Sequence, residues 1–449
     1  MHIPAMLDII KALDSTSASG QALIPEVVNP HIAELAMAIN PLRNLIPRTP
    51  WFSRTYDRDK RLTFGRAKHV GDGQTRSASQ STYARFAESL KLMQIKGGAS
   101  GFLEFSAQKL VDPLQSEIDG HTLAATFEEE AITMYGNRYA DSYQHNGLDT
   151  WIETNLFLSS ALIGFAILDS MIDAVRNKGS VPKAFIMSFK MLSKLSAILQ
   201  VGQQFNDKVV IQGGFRLQTY RGIPIYDTSF IAANQAWPGG AMTATKSAGG
   251  SLADDQYFYR VAAVLTTGET LACTEANATT SAADNSVTIA WDASGLPNTV
   301  RKYKIYRGLT TGVLTLYTEI PAYVYQETGD ILNTVNEALV DTWIDNGQRV
   351  TMTTDYATTT VTGAAFTPGT NQATQAPLSA NGEDIYLIST MAPGKVEGPA
   401  CEQVVGKELQ MLPLAKLTDR DEFMLLQYST LVMVEQFSAK ARDVLLLTP

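Results

Sequence analysis

The sequence lacks the patterns that mark an enzyme. It contains no phosphate-binding GxxxxGK[ST] loop, no GxGxxG after a strand and no serine in a GxSxG turn. Its five histidines are scattered, and none is spaced to share a metal ion with another: His2, His31, His69, His121 and His145. We therefore expect no catalytic residue, no metal site and no bound cofactor.

Cysteine is scarce, and a membrane segment is not evident. Cys273 and Cys401 are far apart and lack a nearby histidine, which argues against a disulfide framework and a zinc site and suits a reducing compartment. The start of the chain lacks the basic region and apolar core of a signal peptide. The most apolar stretch, 156–175, is interrupted by Asp169 and Asp173. We expect a protein that folds in a cytosol-like solvent and does not enter a membrane.

The length and composition of the chain indicate a folded protein of two or three domains. It has 449 residues, of which 45% are hydrophobic and 18% charged. The formal net charge of −9 argues against a nucleic-acid binder as a whole, because phosphate binding needs a basic surface.

A β-rich segment interrupts a mixed α/β sequence near its middle. It opens at Trp237, and period-two alternation with regular turn signals predicts a small antiparallel sandwich over about 251–347. Residues 240–350 carry seven basic and twelve acidic side chains, so this module is about −5. The flanking sequences, up to 236 and from 382, are predicted to fold together around it.

Residues 54–91 predict a long extended hairpin with a turn at 71–73. The hairpin carries nine basic and four acidic residues, a local charge of about +5. It has too few large apolar groups to fold over its own core, so we expect it to lie on another copy of the chain.

A long helix is predicted from Asp112 to Tyr135, with Asp112 as N-cap and Pro113 at the first helical position. Glu128, Glu129 and Glu130 give this helix an acidic face. Two interpretations stay open: a solvated surface, or a landing site for the basic hairpin of a neighbour. Two further helices and a buried strand at 184–187 follow, and the tail from 419 predicts a long strand pair with an apolar end.

The order of these parts resembles the major capsid proteins of tailed bacteriophages, which have the Hong Kong 97 type fold. Four stretches carry the resemblance: ALIPEVVNPHIAELAMAINPLRNLIP at 22–47, LDSMIDAVRNKGSVPKAFIMSFKMLSKL at 168–195, YRGIPIYDTSF at 220–230 and DRDEFMLLQYSTLVMVEQFSAKA at 419–441. In the insertion, YFYRVAAV at 257–264, TIAW at 288–291 and KYKIYRG at 302–308 resemble an immunoglobulin-like or fibronectin type III module.

The resemblance implies an α+β capsid subunit with an inserted all-β sandwich. Its parts would be an N-terminal arm at 1–50, an extended loop at 51–91, a peripheral domain with a long spine helix at 92–150 and 411–449, an axial domain at 151–236 and 382–410, and the inserted domain at 237–381. The implied function is a structural, non-enzymatic one: hexamers and pentamers of an icosahedral phage head that encloses double-stranded DNA.

The resemblance also implies partners and a location. We expect contact with portal and scaffolding proteins and non-specific contact with packaged DNA, in a virion assembled in the host cytoplasm. We further expect a separate scaffolding protein, a retained arm and an outward-facing insertion, because repulsion between acidic modules would limit clumping of particles.

The expected contact between subunits joins the loop of one copy to the spine helix of the next. The residues are Arg54, Arg58, Lys60, Arg61, Arg66, Lys68, Arg76 and Arg85 on the loop, and Glu128, Glu129 and Glu130 on the helix of a neighbour. Two alternatives remain: an encapsulin-like nanocompartment shell, and a surface or tail adhesin whose sandwich binds carbohydrate through exposed aromatics such as Tyr317, Tyr323 and Tyr325.

Overall fold

The computed structural model describes residues 41–63, 65–75, 77–107, 112–201, 208–210, 216–231, 235–327, 335–349, 352–390, 399–414 and 419–446. The arm helix patterns predicted within 1–40 lie outside these residues, as do Arg76 and the side chain of Lys60. Helices alternate with strands between Leu42 and Val201, and strands dominate the described residues after that, so the mixed α+β class is confirmed.

Six helices lie in the described residues: α1 (Leu42–Leu45), α2 (Gly101–Ala107), α3 (Pro113–Tyr135), α4 (Leu148–Trp151), α5 (Phe165–Asn177) and α6 (Phe189–Val201). The long helix α3 begins as predicted, because the Asp112 carboxylate accepts the backbone N–H of Gln115 at 3.1 Å.

The strands before the insertion are β1 (Arg48–Pro50), β2 (Thr55–Thr63), β3 (Thr82–Ser89), β4 (Lys91–Ser100), β5 (Leu156–Leu158), β6 (Ala184–Ser188), β7 (Lys208–Val210), β8 (Arg216–Tyr220) and β9 (Ile223–Thr228). Those after it are β22 (Gly382–Ile388), β23 (Cys401–Pro413), β24 (Arg420–Met433) and β25 (Ala439–Leu445).

The strands of the insertion are β10 (Thr243–Ser247), β11 (Gln256–Leu265), β12 (Gly268–Glu269), β13 (Ala276–Thr279), β14 (Ser286–Ala290), β15 (Val300–Thr310), β16 (Val313–Pro321), β17 (Tyr323–Glu327), β18 (Val335–Leu339), β19 (Thr342–Asp345), β20 (Thr353–Asp355) and β21 (Thr360–Thr362).

The chain divides into two compact units. The described residues of the smaller unit lie within Lys96–Gly120 and Pro413–Phe423. In this unit, Lys96 Nζ lies 2.7 Å from a carboxylate oxygen of Glu422. The described residues of the larger unit lie within Ala38–Ile95, His121–Leu412 and Met424–Pro449.

A seven-stranded sheet forms the centre of the larger unit, in the order β5-β25-β22-β6-β9-β8-β7. Helices α5 and α6 pack on one face, where Leu168 and Leu195 share a hydrophobic core with Phe185. On the other face, Ile186 and Met134 belong to a second core that includes the C-terminal part of α3. The buried run at 184–187 is therefore covered on both sides, which explains its continuous apolar sequence.

Sheet pairing differs from the predicted domain boundaries at two places. Strand β25 pairs antiparallel with β22 and parallel with β5, so residues 439–445 belong to the seven-stranded sheet and not with 92–150. The sequence prediction places 401–410 in the axial domain. Strand β23 instead lies in a separate four-stranded sheet, ordered β1-β23-β24-β4. Both assignments depend on pairing between distant segments, which the local pattern does not contain.

The insertion (residues 237–381, called the inserted segment below) forms two main sheets. One is ordered β10-β14-β19-β21-β20, and the other β12-β11-β15-β16 with β13 alongside β11. Val287 and Trp343 from the first sheet share a hydrophobic core with Tyr259 and Ile305 from the second. The predicted strands and turns are therefore present, and the immunoglobulin-like or fibronectin-like class stays a prediction.

Candidate assembly surface and domain junction

The hairpin extends away from any core of its own. Strands β2 and β3 form a two-stranded sheet, with a register that runs from Thr55 opposite Ser89 to Thr63 opposite Thr82. Every described residue from 65 to 80 is exposed. A two-stranded ribbon is marginal in water by itself, so this shape indicates a segment that is completed by contact with something else.

The basic residues of the hairpin fall into two groups. Arg58 donates to the carbonyl oxygen of Pro399 at 2.8 Å. Arg85 pairs with Asp59 at 3.0 Å on the opposite strand. The Arg61 guanidinium lies 5.5 Å from the ring centroid of Tyr83. These three residues contribute to the hairpin and its base.

Arg54, Arg66 and Lys68 form the second group, and all three are exposed. Arg66 and Lys68 lie near the tip, where Asp72 is also exposed. Contact of these three residues with a neighbouring copy stays a prediction.

An open groove lies at the base of the hairpin. Its volume is about 740 Å³. Aromatic, aliphatic and basic side chains line it together with three serines and one glycine: Trp51, Phe52, Ser53, Arg54, Ser89, Leu90, Lys91, Leu92, Ser142, Tyr143, Gly406 and Tyr428. Phe52 is 100% exposed, which is unusual for a phenylalanine in a single folded chain. Aromatic residues exposed in a groove with a basic rim are typical of an interaction surface.

Glu129 is buried, so of the two interpretations of the acidic face of α3 the solvated surface is wrong for this residue. Its carboxylate accepts hydrogen bonds from Arg48 at 2.8 Å, Gln403 at 2.7 Å and Gln427 at 2.6 Å, and it also pairs with Arg43. Burial opposes ionisation, but the two arginines outweigh it and hold the pKa of Glu129 below its usual value. Through these contacts Glu129 connects the end of the N-terminal arm, β23 and β24 to helix α3.

Glu130 and Glu128 also have partners within the chain. Glu130 accepts the backbone N–H groups of Leu42 at 2.9 Å and Arg43 at 3.3 Å, at the start of α1. Burial raises the pKa of Glu130 to about 7, although these N–H donors oppose the rise. Glu128 accepts from Arg301 Nε of the inserted segment at 2.7 Å. Contact of the three glutamates with the hairpin of a neighbour stays a prediction, since a single chain is described.

A charge network joins the inserted segment to the rest of the larger unit. It contains four cations and four anions, all buried: Asp149, Asp384, Lys440 and Arg442 from the flanking sequence, and Glu269, Lys302, Lys304 and Glu319 from the inserted segment. The charges balance, as a dry interior requires.

Three ion pairs of this charge network cross the junction: Lys304 with Asp149, Lys302 with Asp149, and Arg442 with Glu269. Lys304 Nζ lies 2.8 Å from Asp149 and 2.8 Å from Glu269. Arg442 binds both carboxylate oxygens of Glu269, at 2.8 and 2.9 Å. Burial opposes ionisation of Glu269, but Arg442 and Lys304 outweigh it and hold its pKa well below the usual range. The inserted segment is therefore docked through buried ion pairs.

The alternation of β15 explains how these charges reach the junction. Tyr303 and Ile305 point into the core between the two sheets of the inserted segment. Lys302 and Lys304, on the opposite face, meet the flanking sequence instead of water. Their burial is not predictable from the alternation of the strand, because the polar face of an alternating strand is ordinarily solvated.

The tyrosines proposed as exposed sugar-binding groups are not exposed. Tyr317 is buried, with the Arg307 guanidinium 3.6 Å from its ring centroid. The Tyr323 hydroxyl donates to the carbonyl oxygen of Asn298 at 2.9 Å, and Tyr325 contacts the Tyr143 ring edge-on at 5.3 Å. Tyr317 is part of a core and the other two are half-buried, so these positions do not supply the exposed aromatics that the adhesin alternative needs.

The described residues show no group of three or more His, Cys, Asp or Glu side chains that could hold a metal ion. Within the same part of the chain, no helix is both long and apolar enough to cross a membrane. Cys273 and Cys401 are free thiols, and burial raises the pKa of the first to about 11 and of the second to about 12.

No protein-family model and no curated protein matches the sequence. Among solved structures, the chain is similar to the capsid of a native GTA particle, at 9% identity and TM-score 0.46 over 96% of this chain and 99% of that one. A chain from Mycobacterium phage Ogopogo has 9% identity and TM-score 0.45 over 95% and 99% of the two chains. The holo-SrpI encapsulin of Synechococcus elongatus PCC 7942 has 8% identity and TM-score 0.45 over 96% of each. With TM-scores below 0.5, these similarities do not decide the fold family or the function.

Proposed function

We propose that the chain is the major capsid protein of a tailed bacteriophage, with a Hong Kong 97 type fold. In this proposal it assembles into hexamers and pentamers of an icosahedral head around double-stranded DNA. The main support for this proposal is the hairpin. It is a two-stranded ribbon, the described residues at its tip are all exposed, and an apolar groove lies at its base. The resemblance of the sequence to the major capsid proteins of tailed bacteriophages also supports this proposal.

The physical argument rests on what a container subunit needs. A shell requires many modest contacts at fixed angles, and segments that reach onto a neighbour add buried area for each copy. Phe52 and Leu92 in the groove and the cations at the tip of the hairpin would each be buried or paired only by another copy. The buried charge network would in turn hold the inserted segment at one angle, as repetition over a lattice demands.

The remaining parts of the proposal concern orientation and partners. The inserted segment would face outward, where its negative charge separates particles, and the inner surface would meet DNA without strong attachment. Portal and scaffolding proteins would guide assembly in the host cytoplasm.

Negative-stain electron microscopy and sedimentation velocity of the purified chain test the proposal. Closed icosahedral shells, or ring-shaped capsomers, are the expected result. A chain that stays monomeric at every concentration, with and without molecular crowding, would contradict it. Shells from cells that carry no phage genes but enclose a host enzyme would favour the encapsulin alternative.

A further inference from the structure

Three buried polar side chains of complementary chemistry meet at the junction: Asn137, Lys302 and Glu319. Asn137 lies in the turn after α3, Lys302 on β15 and Glu319 on β16. Their exposed fractions are 0%, 1% and 3%, so water does not compete at this place. The Lys302 Nζ and the Asn137 Nδ2 both donate to the same atom, Glu319 Oε2, at 2.7 and 2.6 Å. An amine and a carboxamide are thereby held side by side on one carboxylate.

The carbonyl of the same carboxamide is also held by donors. Asn137 Oδ1 accepts the backbone N–H of Tyr139 at 2.9 Å and that of Ala140 at 3.4 Å. Two backbone N–H groups on a carbonyl oxygen polarise it and stabilise the negative charge that forms there when a nucleophile adds to the carbon. The site thus contains a nucleophile, an acceptor carbonyl with its anion stabilised, and a carboxylate that touches both the attacking and the leaving nitrogen.

We propose that Lys302 and Asn137 become joined by an intramolecular isopeptide bond, with Glu319 as the proton carrier. The bond would link the turn after α3 to the inserted segment. This inference does not depend on the proposed shell function.

The reaction balances with the groups present. Glu319 first takes a proton from the Lys302 ammonium, which gives a neutral amine and a neutral acid. The amine lone pair attacks Cγ of Asn137, and the carbonyl electron pair moves to Oδ1 beside the two N–H donors. Glu319 then gives its proton to Nδ2 and takes one from Nζ. The carbonyl re-forms, the Cγ–Nδ2 bond breaks, and ammonia leaves.

The environment favours each step. Proton transfer within the ion pair gives a neutral amine and a neutral acid. The free-energy cost of this transfer is much smaller in a dry interior than in water. Because the folded chain already holds the reacting groups together, bringing them into contact costs no further translational or rotational entropy. Release of ammonia from a buried site makes the reverse reaction slow.

A matched lysine shows what is special about this site. Lys304 is also buried on β15, two residues further along, but its Nζ is paired with the carboxylates of Asp149 and Glu269 and not with a carboxamide. Lys304 should therefore remain a free ammonium while Lys302 reacts.

Mass spectrometry of the full chain, purified in its folded state, tests the proposal. The expected result is an intact mass about 17 Da below that of the sequence, the mass of one ammonia, and a tryptic digest in which the peptide with Asn137 is joined to the peptide with Lys302. The peptide result is independent of any processing at the termini. Separate, unmodified peptides with Asn137 and Lys302, together with an unchanged mass, would overturn the proposal.

Three variants should abolish the mass loss, and one should preserve it. Lys302→Arg keeps the cation but removes the nucleophile, Asn137→Ala removes the carboxamide, and Glu319→Gln removes the proton carrier. Lys304→Arg is the matched control and should retain both the mass loss and the joined peptides. A joined peptide that persists in Lys302→Arg, or one with a loss of about 18 Da at Asp149, would assign the bond to other residues and overturn the proposal. If a variant fails to fold, the mass of the unaltered chain still decides.

Discussion

Lys304 Nζ of the inserted segment lies 2.8 Å from the Asp149 carboxylate of the flanking sequence, and both side chains are almost fully buried. Asp149 also pairs with Lys440, and it lies 3.7 Å from Lys302. Burial opposes ionisation of Asp149, but the three lysines outweigh it and hold its pKa well below the usual range. One carboxylate therefore compensates cations from both sides of the junction.

Replacing Asp149 with Asn should destabilise the chain strongly. The change leaves buried ammonium groups without their anion, and breaking a buried pair in this way costs about 3–5 kcal/mol. Denaturant unfolding monitored by tryptophan fluorescence measures the free energy of unfolding. Asp284→Asn is the control, because its pair with Lys246 is partly exposed to water and its loss should cost less than about 1 kcal/mol. Equal losses in the two variants would contradict the role of Asp149.

Glu130 should make the chain less stable as the pH rises. Its folded-state pKa of about 7 lies above the ordinary value of 4.5, so between these values the folded state binds a proton that the unfolded state has lost. Stability is therefore lost as the pH climbs through this window. Glu130→Gln should flatten the pH dependence of the unfolding free energy by an amount on the order of 2 kcal/mol between pH 5 and 7.5. Parallel curves for variant and parent would refute this assignment.

His145 should act in the opposite direction. Burial lowers its pKa to about 4, from an ordinary value of 6.5, so the unfolded state binds a proton between these values and the folded state does not. Stability is lost as the pH falls through that range. In His145→Gln, the decline in unfolding free energy from pH 6.5 to 4 should be shallower than in the parent. An unchanged acid slope would show that this histidine does not stay neutral.

The tip of the hairpin should matter for assembly but not for folding. Arg66 and Lys68 are exposed, so changing both to Ser should alter the unfolding free energy by no more than about 0.5 kcal/mol. The same variant should assemble less, because the cations would meet acidic groups of a neighbour. Light scattering during assembly measures the difference. Removing two charges from the end of α5, with Arg176→Ser and Lys178→Ser, controls for net charge, and an equal loss of assembly there would contradict a specific role for the tip.

Local signals in the sequence were sufficient for much of the fold. The start of α3 was predictable because its cap, Asp112, binds a backbone N–H only three residues away. The turn at Gly222 was predictable because it needs a positive φ, which is +77° in the structure.

The burial of charged side chains could not be predicted locally, because it depends on partners that are distant in the chain. Glu129 reads as a surface residue on a helix, but its partner Arg48 is 81 positions away. Lys304 reads as the solvent face of a strand, and only the covering by flanking sequence turns that face into an interior. Alternation fixes which side chains share a face; it does not say what covers the face.

We propose that the body of the chain is incomplete until its hairpin rests on another copy. The most direct test replaces residues 64–81 with a short Gly-containing turn and compares this variant with the parent by sedimentation velocity and cryo-electron microscopy. We expect closed shells for the parent, and a folded variant with the same unfolding midpoint that stays monomeric. A variant that builds the same shells, or a parent that remains monomeric beside it, would contradict the account.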